Sequence, residues 1–200
     1  MKIVLASLNP NKLREMREPL LELGIDLIPQ TDLSVFGSAE ENGDTFEANA
    51  ELKARYVMEA TGLPAIADDS GLAVDALNGA PGVYSHRFGN LDSDAARNNY
   101  LLEKLKDVPD EKRGAKFVSV IALVFPDGKK LIVRGECPGV ILHESRGQNG
   151  FGYDPLFYVE TLGKTFAELT NEEKHSVSHR GCAIRNFAKV FKEMNGYSDE

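Results

Sequence analysis

The chain has 200 residues, 42% of them hydrophobic and 27% charged, a composition typical of a globular protein with a substantial core. Its formal net charge of −8 disfavours nonspecific binding to nucleic acid but leaves room for a small anionic ligand. No apolar run approaches the roughly 20 residues of a membrane helix, and the N-terminus does not resemble a signal peptide. We therefore expect a cytoplasmic protein with two reduced cysteines, Cys137 and Cys182, and no nucleic-acid or membrane partner.

Strands and helices alternate in the first half of the chain, and a strand-rich stretch follows. In chain order the predicted elements are a strand at residues 2–6, a helix at about 11–23, a strand at 25–29, a helix from 44 to about 60, strands at 63–67 and 71–77, a helix at 92–105, a hairpin of 116–125 and 130–133, a strand at 137–142, a short helix near 165–169 and a helix from 178 to about 194. This order predicts an α/β fold with a mixed β-sheet flanked by helices.

Three local signals qualify the predicted helices. Pro19 lies inside the first helix and should kink or divide it, because proline removes a backbone donor. Asp44-Thr-Phe-Glu47 resembles a capping box with Asp at the first position. Ser178 is the predicted N-cap of the last helix.

A polar turn, Ser7-Leu-Asn-Pro-Asn-Lys12, joins the first strand to the first helix. Backbone amides and the helix dipole meet at such a turn, and Ser7, Asn9 and Lys12 add a hydroxyl, an amide and a charge. The turn therefore fits a phosphate, although it lacks the glycines of a Walker A motif. An ordinary capped strand–helix turn is the alternative reading.

Asp68 and Asp69 follow an apolar run and should lie at a turn at the end of a strand. Two adjacent carboxylates are held together most easily by a cation, so the pair predicts a divalent metal site. Ordinary turn residues in a surface loop are the competing interpretation. Asn49 and Lys53 should share one helix face, while Glu41 precedes that helix in an acidic loop.

Two further segments carry polar chemistry. Phe151-Gly-Tyr-Asp154 follows a glycine-rich stretch, and its aromatic rings either stack on a purine or close the core beneath the loop. His179 and Arg180 begin the last helix, shortly after Lys174. Cations oppose the dipole at a helix N-terminus, so this basic cluster indicates an anion or acceptor nearby.

These ordered segments resemble the inosine triphosphate pyrophosphatase family, from the first strand to the last helix. The matching segments are Ser7-Leu-Asn-Pro-Asn-Lys12, Thr45-Phe46 with Asn49-Ala50 and Leu52-Lys53-Ala54, Ala67-Asp-Asp-Ser-Gly-Leu72 with Gly79-Ala-Pro-Gly82, Phe151-Gly-Tyr-Asp-Pro155, and Ser178-His-Arg180. The resemblance implies one domain over residues 1–200, a long mixed sheet, two lobes with an active-site cleft between them, and a homodimer.

The resemblance also implies residue roles. Mg²⁺ would be held by Glu41 and Asp69, with Asp68 nearby, and Asp69 would activate the attacking water. The residues implied to bind the triphosphate are Ser7, Leu8, Asn9, Pro10, Asn11, Lys12, Lys53 and Ser70. Those implied to surround the base are Phe151, Gly152, Tyr153, Asp154, Lys174, His179 and Arg180.

The implied reaction converts ITP, dITP or XTP to a monophosphate and pyrophosphate, which would remove deaminated purines from the nucleotide pool. Hydrogen-bond donors on His179 and Arg180 would favour a purine with an acceptor oxygen at the 6-position. They would disfavour adenine, which carries a donor there. Two other functions stay open: a pyrophosphatase for other modified nucleotides, and a nucleotide-binding module without turnover. The carboxylates of Asp68 and Asp69 favour an enzyme over a binding module, since a protein that only binds phosphate gains nothing from carboxylates beside an anion.

Overall fold

The computed structural model describes residues 1–196, in which seven strands and five α-helices occur. In chain order these are β1 (Lys2–Leu5), α1 (Pro10–Glu22), β2 (Asp26–Pro29), α2 (Phe46–Thr61), β3 (Ala65–Val74), α3 (Asp94–Lys104), β4 (Gly114–Val124), β5 (Lys130–Ile141), β6 (Phe157–Val159), β7 (Lys164–Thr165), α4 (Asn171–Val177) and α5 (His179–Met194). Short 3-10 helices connect several of them. Within residues 1–196 no helix has the length and apolar character needed to cross a membrane.

All seven strands belong to one sheet with the order β2-β1-β3-β4-β5-β6-β7. β1 runs parallel to both β2 and β3, whereas the β5–β6 and β6–β7 pairs are antiparallel. Parallel neighbours need a crossover, and α1 and α2 supply it between β1, β2 and β3. The predicted α/β fold with a mixed sheet flanked by helices is confirmed.

The chain divides into two compact units. The first comprises Met1–Asp69, Ser119–Gly135 and the chain from Arg180 onwards, and the second comprises Ser70–Val118 and Glu136–His179. Two of the boundaries therefore fall between residues that the sequence predicts to act together, Asp69 and Ser70 in one case and His179 and Arg180 in the other. The single domain over residues 1–200 stays a prediction.

The core of the first unit is aliphatic, with aromatic side chains from α5. Met16 and Leu20 of α1 are completely buried and belong to one cluster with Ile3, Leu5 and Phe187. Burying a leucine or methionine stabilises the fold by roughly 1.5–3 kcal/mol, so this face fixes α1 and therefore the turn that precedes it. The sequence predicts an apolar stripe of Leu13, Met16, Leu20 and Leu23 on this helix. It is confirmed, with Met16 and Leu20 completely buried and Leu13 and Leu23 partly buried against the same cluster.

The core of the second unit is aromatic. The Phe117 ring packs edge-on to Phe157 at a centroid distance of 4.7 Å and is stacked on Phe166 at 5.5 Å. Tyr153 belongs to the same cluster and is 4% exposed. Of the two readings of the Phe151–Asp154 segment, the closure of the core applies to the Tyr153 ring.

Pro19 does not divide the first helix. α1 is a single helix of 13 residues with Pro19 inside it. Pro19 lacks the amide hydrogen for an intrahelical bond, but buried Met16 and Leu20 hold the helix on both sides of the proline. Tertiary packing therefore outweighs the local penalty. Of the two expected effects, the division of the helix is wrong, and the kink stays a prediction.

The predicted turn at the two aspartates is also wrong. β3 runs without interruption from Ala65 to Val74, so Asp68 and Asp69 lie in the middle of a strand. Aspartate is depleted in strands, and the sequence alone therefore indicates an interruption. The strand continues because basic side chains from other elements compensate both carboxylates.

Other boundaries shift by smaller amounts. The N-cap of α2 is Thr45, which accepts a hydrogen bond from the Ala48 amide at 3.1 Å, so the capping box at Asp44 is wrong by one residue. The predicted short helix is a 3-10 turn at Phe166–Glu168, and α4 follows it as a separate helix. The predicted strand–turn–strand at residues 116–133 is confirmed, and its turn closes with Gly128 at φ +88°.

Candidate active site

The strand–helix turn at residues 7–12 is organised by its own side chains. Asn9 is the N-cap of α1 and accepts a hydrogen bond from the Asn11 amide at 2.9 Å. The Ser7 hydroxyl accepts from the Asn9 amide at 3.2 Å, and Pro10 occupies the first turn of the helix. Leu8 is 52% exposed. With no acid in the first turn of α1, the helix dipole leaves this end suited to an anion.

Lys12 extends from this turn to Asp68. Its Nζ donates to the Asp68 carbonyl oxygen at 2.9 Å and lies 3.4 Å from Asp68 Oδ1. Burial lowers the pKa of Lys12, Lys53 and Arg180 lower it further, and Asp68 partly offsets the effect. The turn therefore presents a buried amine beside a strand that carries two acids.

Asp68 is bound by cations and a hydroxyl. Arg180 Nε donates to its Oδ2 at 3.1 Å and the Ser119 hydroxyl donates to the same oxygen at 3.2 Å. Burial alone would raise the pKa of Asp68, but Arg180 and Lys12 hold it well below its ordinary value. Asp68 is therefore a permanent anion that neutralises the amine and the guanidinium.

Arg180 is occupied on a second side by Glu15. Its Nη1 pairs with Glu15 Oε2, and the Arg180 residue is 2% exposed. Burial would lower the pKa of Arg180, yet Asp68 and Glu15 raise it above its ordinary value. The sequence predicts Arg180 among the groups around the base, whereas here its guanidinium joins two carboxylates of the first unit.

Asp69 has a different environment from its neighbour. Lys53 Nζ lies 2.5 Å from Asp69 Oδ1 and 3.6 Å from Glu41 Oε1, so this amine sits between the two predicted metal ligands. The other oxygen, Oδ2, is buried and has no hydrogen-bond donor among residues 1–196. Burial raises the pKa of Asp69 despite the opposing effect of Lys53.

The acidic loop that carries Glu41 is fixed by Asn49. The Gly43 amide donates to Asn49 Oδ1 at 2.8 Å, and Asn49 is completely buried in α2. A Cβ atom on Gly43 would lie 2.7 Å from that oxygen and 2.8 Å from Ala48 Cβ, closer than side chains allow. Only glycine fits this approach of loop to helix.

A second group of predicted residues lies in the second unit. Lys174 Nζ is 2.7 Å from Asp154 Oδ2, which also accepts the Phe151 amide at 2.9 Å. The same amine lies 4.9 Å from the Phe151 ring centroid. A Cβ on Gly150 would approach Asp154 Oδ2 to 2.0 Å, so the glycine-rich segment is required for this close contact.

His179 belongs to the aromatic cluster of the second unit. Its ring stacks on Phe117 at 4.6 Å with an interplanar angle of 12°, and it is 4% exposed. The buried Tyr153 hydroxyl donates to the Ser85 carbonyl oxygen at 2.8 Å. Burial raises the pKa of Tyr153, so the phenol stays protonated.

The predicted residues are thus divided between the two units. The phosphate turn, Glu41, Lys53, Asp68, Asp69 and Arg180 belong to the first unit, in which Lys53 connects Glu41 to Asp69 and Asp68 connects Lys12 to Arg180. Ser70, Phe151, Gly152, Tyr153, Asp154, Lys174 and His179 belong to the second. Among residues 1–196 no cluster of three or more His, Cys, Asp or Glu side chains suited to a metal is present.

Sequence reasoning missed several residues that contact the predicted site residues. Glu15 lies three positions after Lys12 on α1, a helical spacing that places both side chains on one face. Ser119 is the one polar side chain among residues 117–124 of β4, and this polarity is its signal. Asp94 and Asn98, which contact Gly152, carry no comparable signal because their partner is a main-chain group more than fifty residues away.

The fold and these side chains define an α/β protein with a phosphate-type turn, a buried acid–amine cluster and a buried aromatic cluster. The chain belongs to the Ham1 family, whose model matches residues 3–190. It is 57% identical over 187 residues to the dITP/XTP pyrophosphatase of Yersinia pestis, covering 92% of this chain and 94% of that protein. A Thermus thermophilus protein of the same name is 52% identical over 193 residues, covering 96% and 93%.

A solved relative agrees with the fold. The structure of a HAM1 protein from Coxiella burnetii superposes with a TM-score of 0.89 at 49% sequence identity, covering 96% of this chain and 99% of that one. The family membership indicated by the sequence motifs is confirmed.

Proposed function

We propose that this protein is a nucleoside-triphosphate pyrophosphatase that hydrolyses ITP, dITP and XTP to the monophosphate and pyrophosphate. Membership of the Ham1 family and the names of the similar proteins support this substrate class. The hydrolysis is supported above all by the environment of Asp69. One of its carboxylate oxygens lies 2.5 Å from Lys53 Nζ, and the other is buried without a donor among the described residues. A carboxylate with such an oxygen is suited to bind a cation or to orient a water.

Mg²⁺ is the proposed cofactor, held by Glu41 and Asp69. Mg²⁺ in nucleotide enzymes is bound by one or two carboxylates, and phosphate oxygens and waters complete its octahedron. Two carboxylates, one with an oxygen lacking a donor in residues 1–196, fit that requirement. When bound, Mg²⁺ would neutralise charge on the triphosphate and on departing pyrophosphate.

The residues of the first unit supply the remaining chemistry. Asp69 orients a water, or takes its proton, for in-line attack at the α-phosphorus; burial raises its pKa and so strengthens it as a base. Lys12 and Lys53 stabilise the negative charge that develops on the phosphates. The amides of the turn at residues 7–12 bind the triphosphate.

The second unit recognises the purine. The Phe151 ring offers a stacking surface, and His179 offers a ring N–H to the 6-oxo group of hypoxanthine or xanthine. Adenine presents a donor at this position and cannot accept that N–H. Arg180 would contact the base only if one of its hydrogen bonds to Asp68 or Glu15 were broken.

The homodimer and the cytoplasmic location implied by the resemblance remain predictions. Light scattering of the purified protein at several concentrations measures the first. A stable dimer would double the 21.9 kDa mass of the chain.

The proposed reaction is tested by offering ITP, XTP, GTP, ATP and pyrimidine triphosphates with Mg²⁺ or with EDTA, in water enriched in ¹⁸O. We expect ITP and XTP to be preferred, EDTA to abolish turnover, and the label to enter the monophosphate. Label in pyrophosphate, or release of orthophosphate, would exclude attack at the α-phosphorus. Tight binding without products would indicate a binding module, and a preference for another modified nucleotide would move the specificity to that class.

A further inference from the structure

Helix α3 holds the main chain of Gly152 with two side chains. Asp94 Oδ2 accepts a hydrogen bond from the Gly152 amide at 2.7 Å, and Asn98 Nδ2 donates to the Gly152 carbonyl oxygen at 3.1 Å. Asp94 and Asn98 are four positions apart and therefore lie on one face of the helix. Both polar backbone groups of a single residue are thus bound by one helix. We call this pair of contacts the Gly152 clamp.

The clamp is itself held in place. Arg97 Nη2 lies 2.5 Å from Asp94 Oδ1, and Arg97 Nη1 donates to the Leu91 carbonyl oxygen at 2.6 Å. Asn98 is 7% exposed, and within residues 1–196 its Oδ1 has no donor, so the bond from Nδ2 to Gly152 is the side-chain hydrogen bond that orients it.

Gly152 connects the two aromatic residues of the segment that is proposed to bind the base. On one side lies Phe151, whose amide donates to Asp154 Oδ2 and whose ring faces the Lys174 amine. On the other side lies Tyr153, which is anchored in the core through Ser85. A cavity of about 330 Å³ borders Asn98, Phe151 and Gly152, so the segment has space to move when the clamp is absent.

We propose that Asp94 and Asn98 are positioning residues for purine recognition, which fix the Phe151–Asp154 segment by binding both backbone polar groups of Gly152. This inference rests on the proposed function, because it assigns the segment to the base. Neither residue belongs to the first unit, whose side chains are proposed to bind the triphosphate and the attacking water. Their effect is on substrate affinity and selectivity, since a stacking surface interacts with the base equally before and during the reaction.

Four variants separate the clamp from charge and helix effects. Asn98→Asp replaces the donor by an acceptor of the same size that faces the Gly152 carbonyl, and Asp94→Ala removes the acceptor. Asp94→Asn retains an acceptor for the Gly152 amide and serves as the conservative rescue. Asn99→Asp is the control, because it adds the charge of Asn98→Asp at an exposed neighbouring position.

Steady-state kinetics with ITP and ATP and hydrogen exchange of the amides of residues 151–154 are measured for every variant that melts like the wild type. We expect Asn98→Asp and Asp94→Ala to raise KM for ITP about tenfold with kcat within about twofold, and to narrow the preference for ITP over ATP. The Gly152 amide should exchange about tenfold faster in Asp94→Ala. Asp94→Asn and Asn99→Asp should resemble the wild type in both measurements.

The outcomes distinguish the clamp from the proposed function. Faster exchange with unchanged KM and selectivity would overturn the positioning role, as would unchanged exchange in both disruptive variants. A fall in kcat alone, equal for ITP and ATP, would also overturn it. If the wild type hydrolyses no deaminated purine nucleotide, the proposed function is wrong. The positioning role is then tested by calorimetric binding of ITP to the same variants, and equal affinity in wild type and disruptive variants would overturn it.

Discussion

Asp68 and Asp69 are consecutive residues of one strand, yet different cations hold their carboxylates. Asp68 pairs with Arg180 and Lys12, and Asp69 pairs with Lys53, which also approaches Glu41. Neighbouring residues of a strand face opposite sides, so each acid meets its own set of partners. The first acid is part of a buried ion network, and the second is the candidate for chemistry.

Asp68→Asn should destabilise the protein strongly. The substitution leaves Arg180 buried with Glu15 as its remaining carboxylate and removes the acid nearest to Lys12, a loss of about 3–5 kcal/mol in the free energy of unfolding. Urea unfolding followed by circular dichroism measures it. Ser119→Ala removes only a hydroxyl from the same carboxylate and should cost no more than about 1 kcal/mol. Equal stability of Asp68→Asn and wild type would contradict the ion network.

Asp69→Asn should have the opposite profile. The loss of a general base reduces turnover by about 10²–10⁴-fold. Asparagine keeps the size of the side chain and an oxygen for Lys53, and burial already disfavours the charged form of Asp69, so the loss of stability should be much smaller than for Asp68→Asn. Initial rates with ITP and Mg²⁺ measure the effect. The control is Asp92→Asn, an exposed acid in the loop before α3. Near-normal turnover of Asp69→Asn would show that another group activates the water.

His179→Phe tests base reading without disturbing the aromatic stack. Phenylalanine retains the packing on Phe117 but removes the ring N–H, so kcat/KM for ITP should fall about tenfold while that for ATP changes little. The measured quantity is the ratio of kcat/KM for the two substrates. The same substitution at the exposed His86 is the control. An unchanged ratio would remove His179 from purine recognition.

The contribution of Asp94 to stability should depend on pH. Burial would raise its pKa, but the Gly152 amide and Arg97 outweigh that effect and lower it. A lowered pKa in the folded state means that the charged form stabilises the fold above the ordinary pKa of about 3.9, and that the contribution disappears as the pH falls through the lowered value. The stability difference between wild type and Asp94→Asn should therefore be present at pH 6 and vanish in strong acid.

The size of this difference is limited by solvent. The Asp94 side chain is 47% exposed, which restricts its contribution to less than about 1 kcal/mol. Chemical unfolding of both proteins at a series of pH values measures it. A difference that grows with acidification would show that the carboxylate does not act through its charge.

The sequence predicts those helices and turns that are determined by residues close together in the chain. The 3.6-residue apolar pattern of α1 and the Pro-Asp-Gly turn before β5 are examples, because both depend on neighbours along the chain. The failures have a common cause: Asp68 and Asp69 read as a turn until Arg180 and Lys53 supply their charges, and those residues are distant in sequence. Contacts to a main-chain atom, such as that of Asn98 with Gly152, leave no trace in residue types.

The candidate residues show the same division. The family resemblance implies that Lys12, Asp69 and Lys174 act on phosphate, metal and base, and the structure adds which side chain each one contacts. Arg180 shows the limit of the motif, since its two carboxylate partners come from a strand and a helix far from it in the chain. Local order predicts the components, and tertiary contacts decide their pairing.

The register of β3 against β1, in which Val4 lies opposite Ala65 and Leu5 opposite Ile66, has a consequence for changes in chain length. Losing one residue between α2 and this strand, with the pairing otherwise kept, would turn every side chain to the reverse side of the sheet. Asp69 would then take the place of Asp68 beside Arg180, and Ser70 would take the place of Asp69, so Lys53 would lose its carboxylate partner in the strand. Single-residue indels at this junction should therefore be far more harmful than substitutions there.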